Sequence, residues 1–240
     1  MIHTFKSVRG LSIALSSRVI NLARESMVDG RPLNMAISGG STPRALFEAM
    51  AARTEDPGWW HQVHFYWVDE RCVPPEHPES NYRLADECLF RPLSISHDKV
   101  YRMRGEKRPR AEAARYEALL LSQLPVREGI PRFDLILLGM GTDGHTASIF
   151  PDQMHLIHGE GICGVARHPE TGQYRITLTG PVINNADNVC FMITGRDKAA
   201  VLASILQGGR DAEKYPAAHI RPATGRLEWY LDEASVQASG

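Results

Sequence analysis

Short apolar runs alternate along this chain with segments in which apolar residues recur every three or four positions. The run Leu135–Leu138 carries no polar side chain, which is typical of a strand covered on both faces of a sheet. Residues 8–28 show the other pattern, with apolar side chains along one side of a helix. Strands alternating with helices predict an α/β fold with a central, mostly parallel sheet between helical layers. No flexible linker divides the sequence, so residues 1–240 are expected to form a single domain.

The hydrophobic pattern also predicts the ranges of the individual strands and helices, and single residues indicate where some helices begin. Ser80 is predicted to cap one helix and Asp197 another, and Pro43 suits the first turn of a third, where a missing backbone N–H costs nothing. Glycines and prolines separate the elements. The predicted strands are 32–37, 63–68, 100–103, 133–138, 161–167, 174–179, 188–194 and 226–231, and the predicted helices are 8–28, 44–52, 81–90, 111–124 and 198–207.

Composition and charge exclude several classes of protein. The chain has 27 Lys and Arg against 28 Asp and Glu, a net charge of -1, so no overall positive field favours nucleic acid or an anionic membrane. No segment approaches the ~20 apolar residues that a membrane helix needs, and residues 1–6 lack the apolar core of a signal peptide. A cytoplasmic protein is therefore expected. The cysteines are scattered, without the close pairs that mark zinc or redox sites: Cys72, Cys88, Cys163 and Cys190.

Four predicted strands end in residues that are unusual for simple turns. If the sheet is parallel, these ends share one edge, and open α/β sheets bind ligands at the carboxyl edge. The sequence therefore predicts one pocket built from all four. The segments are Gly39-Gly40-Ser41-Thr42, Asp69-Glu70-Arg71, Asp143-Gly144-His145 and Gly195-Arg196-Asp197-Lys198.

Two of these segments suit a phosphate group. The Gly39-Gly40 turn leads into a helix, whose first backbone N–H groups attract anions, and the hydroxyls of Ser41 and Thr42 add donors. Lys198 starts another predicted helix, where a cation opposes the helix dipole, so a bound anion would account for it. The glycine turn matches neither the Walker pattern nor the dinucleotide fingerprint, which disfavours a nucleotide.

The segment around His145 is the candidate for catalysis. His145 is the side chain there that exchanges a proton near neutral pH. The neighbouring Gly139, Gly141 and Gly144 would let the backbone take conformations that side chains forbid. An ordinary turn, in which Asp143 makes an Asx hydrogen bond and His145 is merely exposed, fits the same residues.

Plain structural roles also fit the remaining candidates. Arg71 would be explained by an ion pair with Asp69 or Glu70, and Lys198 by a solvated position at the surface. Arg175 lies within a predicted strand and would either face the pocket or lie on an exposed face. The residues alone leave these alternatives open.

With these motifs in view, the chain resembles the 6-phosphogluconolactonase family, within the wider group that includes glucosamine-6-phosphate deaminase. The resemblance implies a modified Rossmann-like three-layer fold and hydrolysis of 6-phosphoglucono-1,5-lactone in the oxidative pentose phosphate pathway, with no metal or cofactor. It implies His145 as the catalytic histidine and a phosphate near Arg71, Lys198 and the Gly39-Gly40 loop. We expect Asp143 to orient His145 or to act on it electrostatically. Asp69 and Arg175 are further candidates for substrate binding. The motifs that carry the resemblance are Ser38–Pro43, Asp69-Glu70-Arg71 through Ser80-Asn81, Leu138–Pro151, Gly195–Ala199 and Trp229–Asp232.

Two other functions fit parts of the sequence. The deaminase relatives carry a Glu where this chain has Phe150, and a phenyl ring cannot move the protons that deamination requires. A non-catalytic sugar-phosphate sensor would need a DNA-binding segment, whereas the first 30 residues supply one amphipathic helix and no helix-turn-helix. The expected partner is therefore a phosphorylated sugar lactone, not nucleic acid or a membrane.

Overall fold

A parallel sheet forms the centre of the fold in the computed structural model, which describes residues 1–53 and 58–237. The strands of the described chain are β1 (Ile2–Phe5), β2 (Leu33–Ile37), β3 (Val63–Trp67), β4 (Asp69–Arg71), β5 (Val100–Tyr101), β6 (Val126–Arg127), β7 (Ile130–Pro131), β8 (Leu135–Leu138), β9 (Cys163–Arg167), β10 (Tyr174–Leu178), β11 (Asn188–Ile193) and β12 (Arg226–Asp232). Seven of them form the central sheet in the order β1-β12-β11-β8-β2-β3-β5, and all their pairings are parallel. The predicted parallel sheet is confirmed.

Helices flank the sheet and complete three layers. The first helix buries Leu11, Leu15 and Val19 at the predicted three- and four-residue spacing. The predicted helix 81–90 ends in a π-helical turn over Asp86–Phe90, and Ser80 caps its start by accepting a hydrogen bond from the Arg83 backbone N–H. The helices are α1 (Val8–Val28), α2 (Ser41–Ala51), α3 (Asn81–Ala85), α4 (Pro109–Gln123), α5 (His155–His158), α6 (Gly180–Asn184), α7 (Ala199–Gln207) and α8 (Glu233–Val236).

Several local predictions differ from the structure, among them those for the first strand and for the start of α7. β1 was not predicted, because its four residues alternate between exposed and half-buried positions at the edge of the sheet and carry little apolar signal. Asp197 does not cap α7: a 3-10 turn over Arg196–Lys198 precedes that helix, and no side chain makes a capping hydrogen bond there. Such 3-10 turns are frequent at the ends of α-helices.

A second, antiparallel sheet packs at the end of β3 and consists of β4, β10 and β9. The sequence predicted Asp69-Glu70-Arg71 as the end of the strand that starts at Val63, whereas these residues pair with β10 instead. The Leu178 backbone N–H donates to the Val68 carbonyl at 2.7 Å and joins the two sheets. In the observed register Arg175 lies directly opposite Arg71. Two arginines from distant parts of the chain thus meet beside the carboxyl end of the central sheet.

The Tyr116 hydroxyl ties α4 to the end of β3 from a fully buried position. It accepts a hydrogen bond from the Trp67 backbone N–H at 2.9 Å and lies 3.2 Å from the Tyr101 carbonyl. Tyr116→Phe removes the partner of the Trp67 N–H, so the free energy of unfolding should fall by about 1–3 kcal/mol. Chemical denaturation checks this, with the exposed Tyr174→Phe as the control. Equal free energies for the two variants would contradict it.

Candidate active site

The four predicted strand ends meet at one edge of the central sheet. They follow β11, β8, β2 and β3, which are consecutive neighbours in the sheet, and their carboxyl ends open onto one cleft. Asp143 is hydrogen-bonded to the His145 ring and is not in the cleft wall. The other predicted site residues all line the cleft: Gly39, Gly40, Ser41, Thr42, Asp69, Arg71, His145, Arg175 and Lys198.

The imidazole of His145 is held from several sides. Its Nδ1 lies 2.6 Å from Asp143 Oδ1, and its backbone N–H donates to the same oxygen at 3.1 Å. The Phe150 ring packs against it with 4.8 Å between ring centroids. A Cβ on Gly141 would lie 2.2 Å from His145 Nδ1, so a glycine is needed at position 141. The Asx turn that the sequence offered as an alternative is therefore present, and it helps to orient His145.

The hydrogen bond between Asp143 and His145 fixes which ring nitrogen carries the proton. Burial raises the pKa of Asp143, but the hydrogen bonds and the charge of His145 outweigh burial and hold that pKa below its ordinary value. An ionised carboxylate only accepts hydrogen bonds, so Nδ1 carries the proton and Nε2 keeps a free lone pair. His145 can therefore accept a proton at Nε2, and Asp143 stabilises the imidazolium that results.

The Gly39-Gly40 turn opens one side of the cleft. Gly40 has φ = 116°, in the left-handed region that favours glycine, and α2 starts at the next residue. The first backbone N–H groups of α2 have no partners within the helix and are placed to bind an anion. The Thr42 hydroxyl is hydrogen-bonded to the Thr194 hydroxyl at 2.7 Å and joins α2 to the end of β11. The Ser41 side chain is exposed and remains available to a ligand.

Three cations from different segments of the chain line the cleft: Arg71, Arg175 and Lys198. Arg71 and Arg175 lie opposite each other on neighbouring strands, where like charges repel. Burial lowers the pKa of Arg175, the Asp69 charge opposes this, and the Arg71 charge adds to it. In the described part of the chain, both arginine Nε atoms are buried without a hydrogen-bond acceptor, and Lys198 has no ion-pair partner. A bound anion would relieve this excess of positive charge.

Glu70 sets the backbone around Arg71 and does not neutralise its charge. The Glu70 carboxylate accepts hydrogen bonds from the backbone N–H groups of Arg71, Asn81 and Tyr82, each at 2.8 Å. Burial raises the pKa of Glu70 to about 7, although these N–H groups oppose the rise. The Arg71 guanidinium donates to the Glu79 carbonyl at 2.6 Å. The simple ion pair that the sequence offered for Arg71 is therefore not its arrangement.

Asp69 is a buried part of the cleft wall, held by two residues that the sequence analysis did not single out. Ser148 Oγ donates to Asp69 Oδ2 at 2.5 Å, and Asn81 Nδ2 donates to the Asp69 carbonyl at 3.0 Å. Asn81 also lines the cleft. A lone hydroxyl and a lone amide carry no spacing that marks a site. Only their presence in the motifs of the family resemblance could have drawn attention to them.

Three further features of the described residues bear on the class of the protein. They contain no group of three or more His, Cys, Asp or Glu side chains arranged to hold a metal ion. No described helix combines the length and apolar character needed to cross a bilayer. All four cysteines are free thiols.

Comparisons with known proteins show which family the chain resembles over most of its length. Residues 6–229 match the family described as glucosamine-6-phosphate isomerases/6-phosphogluconolactonase. The chain is 42% identical over 203 residues to a 6-phosphogluconolactonase of Treponema pallidum (strain Nichols), covering 85% of this chain and 83% of that protein. It is 41% identical over 207 residues to one of Haemophilus influenzae, covering 86% and 87%. A solved 6-phosphogluconolactonase of Trypanosoma brucei superposes with a TM-score of 0.87 at 29% identity, covering 98% of this chain and 96% of that chain.

Proposed function

The chain belongs to the family of glucosamine-6-phosphate isomerases and 6-phosphogluconolactonases, and on that premise we propose that it hydrolyses 6-phosphoglucono-1,5-lactone to 6-phosphogluconate in the oxidative pentose phosphate pathway. One observation carries the proposal: a histidine with a free Nε2 shares a cleft with three cations from separate segments of the chain. A proton acceptor beside an anion site is what hydrolysis of a phosphorylated lactone requires.

His145 carries the proton transfers of the reaction. Its Nε2 takes a proton from a water molecule, and the oxygen of that water forms a bond to the lactone carbonyl carbon. The tetrahedral intermediate then collapses, the bond between that carbon and the ring oxygen breaks, and the imidazolium returns its proton to the ring oxygen. The product is an open-chain acid, and His145 is again neutral. Asp143 stabilises the positive charge on the ring during the intermediate step.

The phosphate lies at the cationic part of the cleft. Arg71, Arg175 and Lys198 supply charge, and the Gly39-Gly40 turn supplies backbone N–H donors at the start of α2. Asp69 stays in the wall, where its negative charge counters that of Arg175. When the phosphate is bound at this end of the cleft, the lactone ring extends toward His145.

The contacts of Phe150 argue against the deaminase alternative. Phe150 packs directly on the His145 ring, at the position where the deaminase relatives carry a Glu. Deamination with ring opening moves several protons between carbon, nitrogen and oxygen, and a phenyl ring moves none. The site retains a single histidine–carboxylate pair, which is enough for lactone hydrolysis.

Two parallel assays test the proposed function. The protein is mixed with freshly prepared 6-phosphogluconolactone while acid release is followed, and with glucosamine 6-phosphate while ammonia release is followed. We expect acid release well above the spontaneous hydrolysis rate, which is subtracted at each pH, and no ammonia. Ammonia release would favour the deaminase, and binding without turnover of either compound would favour a sensor.

Lys198→Ala tests the phosphate end of the site. A charged hydrogen bond contributes about 1.5–3 kcal/mol, so kcat/KM for the phosphorylated lactone should fall roughly 10- to 100-fold. The loss should be smaller for an unphosphorylated lactone, because that substrate offers Lys198 no anion. Lys107→Ala removes the same charge from an exposed position outside the cleft and serves as the control. Equal losses for the two substrates would show that Lys198 does not bind the phosphate.

A further inference from the structure

The Phe150 ring packs against three polar side chains, and one of them is the His145 imidazole. Phe150 is 1% exposed, and its ring centroid lies 4.8 Å from that of the His145 imidazole. The same centroid lies 5.7 Å from Cζ of Arg175 and 5.2 Å from the centroid of the His168 imidazole. His145 and Arg175 line the cleft, and His168 belongs to the turn between β9 and β10. The proposed reaction gives Phe150 no chemical step, so its contacts need another explanation.

The hydrogen bond to Asp143 does not by itself fix the His145 ring. It anchors Nδ1, but the imidazole could still pivot about that atom and swing Nε2 away from the substrate. Gly141 closes one side, since even a Cβ there would lie 2.2 Å from Nδ1. The Phe150 ring packs on His145 as well, at 47° between the ring planes. These two contacts restrict the pivot that the hydrogen bond allows.

Phe150 also contacts a cation of the substrate site. The guanidinium of Arg175 lies over the Phe150 ring, within the distance at which a cation is attracted to an aromatic face. The only side-chain hydrogen bond of Arg175 within the described residues is a long one, 3.5 Å from Nη1 to Ser148 Oγ. One ring therefore contacts both the proton acceptor and a cation of the anion site.

His168 packs against Phe150 from the tip of the hairpin. Its Nδ1 accepts hydrogen bonds from the backbone N–H groups of Glu170 at 3.2 Å and Thr171 at 3.3 Å, which fixes the ring to the turn. It meets the Phe150 ring at 65°, in an edge-on arrangement. Burial lowers the pKa of His168, and the charge of Arg175 adds to the effect, which favours the uncharged ring.

We propose that Phe150 is a positioning residue for the proton acceptor His145, and that His168 acts through Phe150 by holding its ring in place. The proposal rests on the lactonase function above. It assigns the β9–β10 hairpin a role in catalysis although its tip does not line the cleft. The ring keeps Nε2 of His145 and the guanidinium of Arg175 in a fixed relation, so the carbonyl carbon and the phosphate are bound in one geometry.

Phe150→Leu is the first test, with Phe133→Leu as its matched control. Phe133 is fully buried at the start of the strand region that leads into β8, at the opposite end from the cleft. Both changes remove a buried ring, so the two melting temperatures should fall alike. We expect Phe150→Leu alone to lower kcat, by about 10- to 100-fold, because the base is misplaced. KM should rise by a smaller factor, because Arg71, Lys198 and the Gly39-Gly40 turn still bind the phosphate. Phe150→Tyr keeps the ring and should restore most of kcat. Equal kcat values for the two leucine variants would overturn the proposal.

A double-mutant cycle tests the role of His168. His168→Asn keeps an acceptor for the two backbone N–H groups of the turn but removes the ring. It should lower kcat by about 3- to 10-fold in the wild-type background and cause no further loss in Phe150→Leu, because both act on one arrangement. His97→Asn, an exposed histidine outside the cleft, is the control. Losses that multiply in the double variant would show that His168 does not act through Phe150.

Nuclear magnetic resonance of the His145 ring without substrate separates this proposal from the lactonase proposal. We expect one sharp set of ring signals in the wild type and in Phe133→Leu, and broadened or multiple sets in Phe150→Leu. A wild type without lactonase activity but with this pattern would refute the function and support the positioning role. An active wild type whose His145 signals are unchanged in Phe150→Leu would refute the positioning role alone.

Discussion

His145→Gln should lower kcat by about 10²–10⁴-fold while the protein stays folded. Glutamine keeps hydrogen-bonding capacity and much of the shape of histidine, but it cannot take a proton from water and return it to the ring oxygen. His145→Ala should lose about as much. Steady-state kinetics after subtraction of spontaneous hydrolysis measure the effect, and His155→Gln, at an exposed position outside the cleft, is the control.

The pH dependence gives a second check on His145. The wild-type rate should fall as the solution becomes acidic, because a protonated imidazole cannot accept a proton. The acid fall should be absent from the residual activity of His145→Gln. A folded His145→Gln protein that keeps most of the wild-type rate would refute the assigned role, and Asp143 or Asp69 would then be the next candidates for the base.

Gly141→Ala should lower kcat by about 100-fold, although it replaces no side chain that takes part in the reaction. The new Cβ would lie 2.2 Å from Nδ1 and 2.3 Å from Cε1 of His145, and 2.7 Å from Asp143 Oδ1. These contacts are shorter than real atoms allow, so the imidazole must move. A displacement of about 1 Å at a catalytic group can cost about 10²-fold in rate.

Gly161→Ala is the matched control for that change. A Cβ at Gly161 would meet its nearest neighbour, the Cys163 carbonyl, at 3.7 Å, which is an ordinary contact. Its kcat and melting temperature should therefore match the wild type. If Gly141→Ala kept a normal kcat at a normal melting temperature, the position of the His145 ring would not limit the rate.

The meeting of four strand ends in one cleft could be predicted from the sequence, because the end of each of these strands is recognisable from its own residues. β2, β3, β8 and β11 are apolar runs that stop at glycines or charged residues, and parallel strands place such ends along one edge. From that rule the sequence predicts a shared pocket for Gly40, Arg71, His145 and Lys198, and all four line one cleft in the structure. The sequence also predicted that Gly139, Gly141 and Gly144 take backbone conformations that side chains forbid. Of the three, only Gly144 has a left-handed φ, of 78°.

The contacts of the site that the sequence did not predict depend on pairings between distant segments of the chain. Nothing local indicates that Arg175 lies opposite Arg71, because strand register is set by packing and not by the residues of either strand alone. The contacts of Ser148 and Asn81 with Asp69 depend on that same second sheet. The lack of space for a Cβ at Gly141 depends on the position of the His145 ring, which the sequence does not specify.

The pairing of β1 with β12 also has a consequence for synthesis on the ribosome. β1 is an edge strand whose partner in the sheet is β12, with Ile2 opposite Trp229. The four strands that carry the cleft emerge before β12 does, at residues 33–37, 63–67, 135–138 and 188–193. At ~5–20 residues per second, the segment of β1 waits roughly 11–45 s for its partner. The cleft can therefore assemble while the first strand is still unpaired, and the joining of β1 is expected to be a late step that closes the sheet.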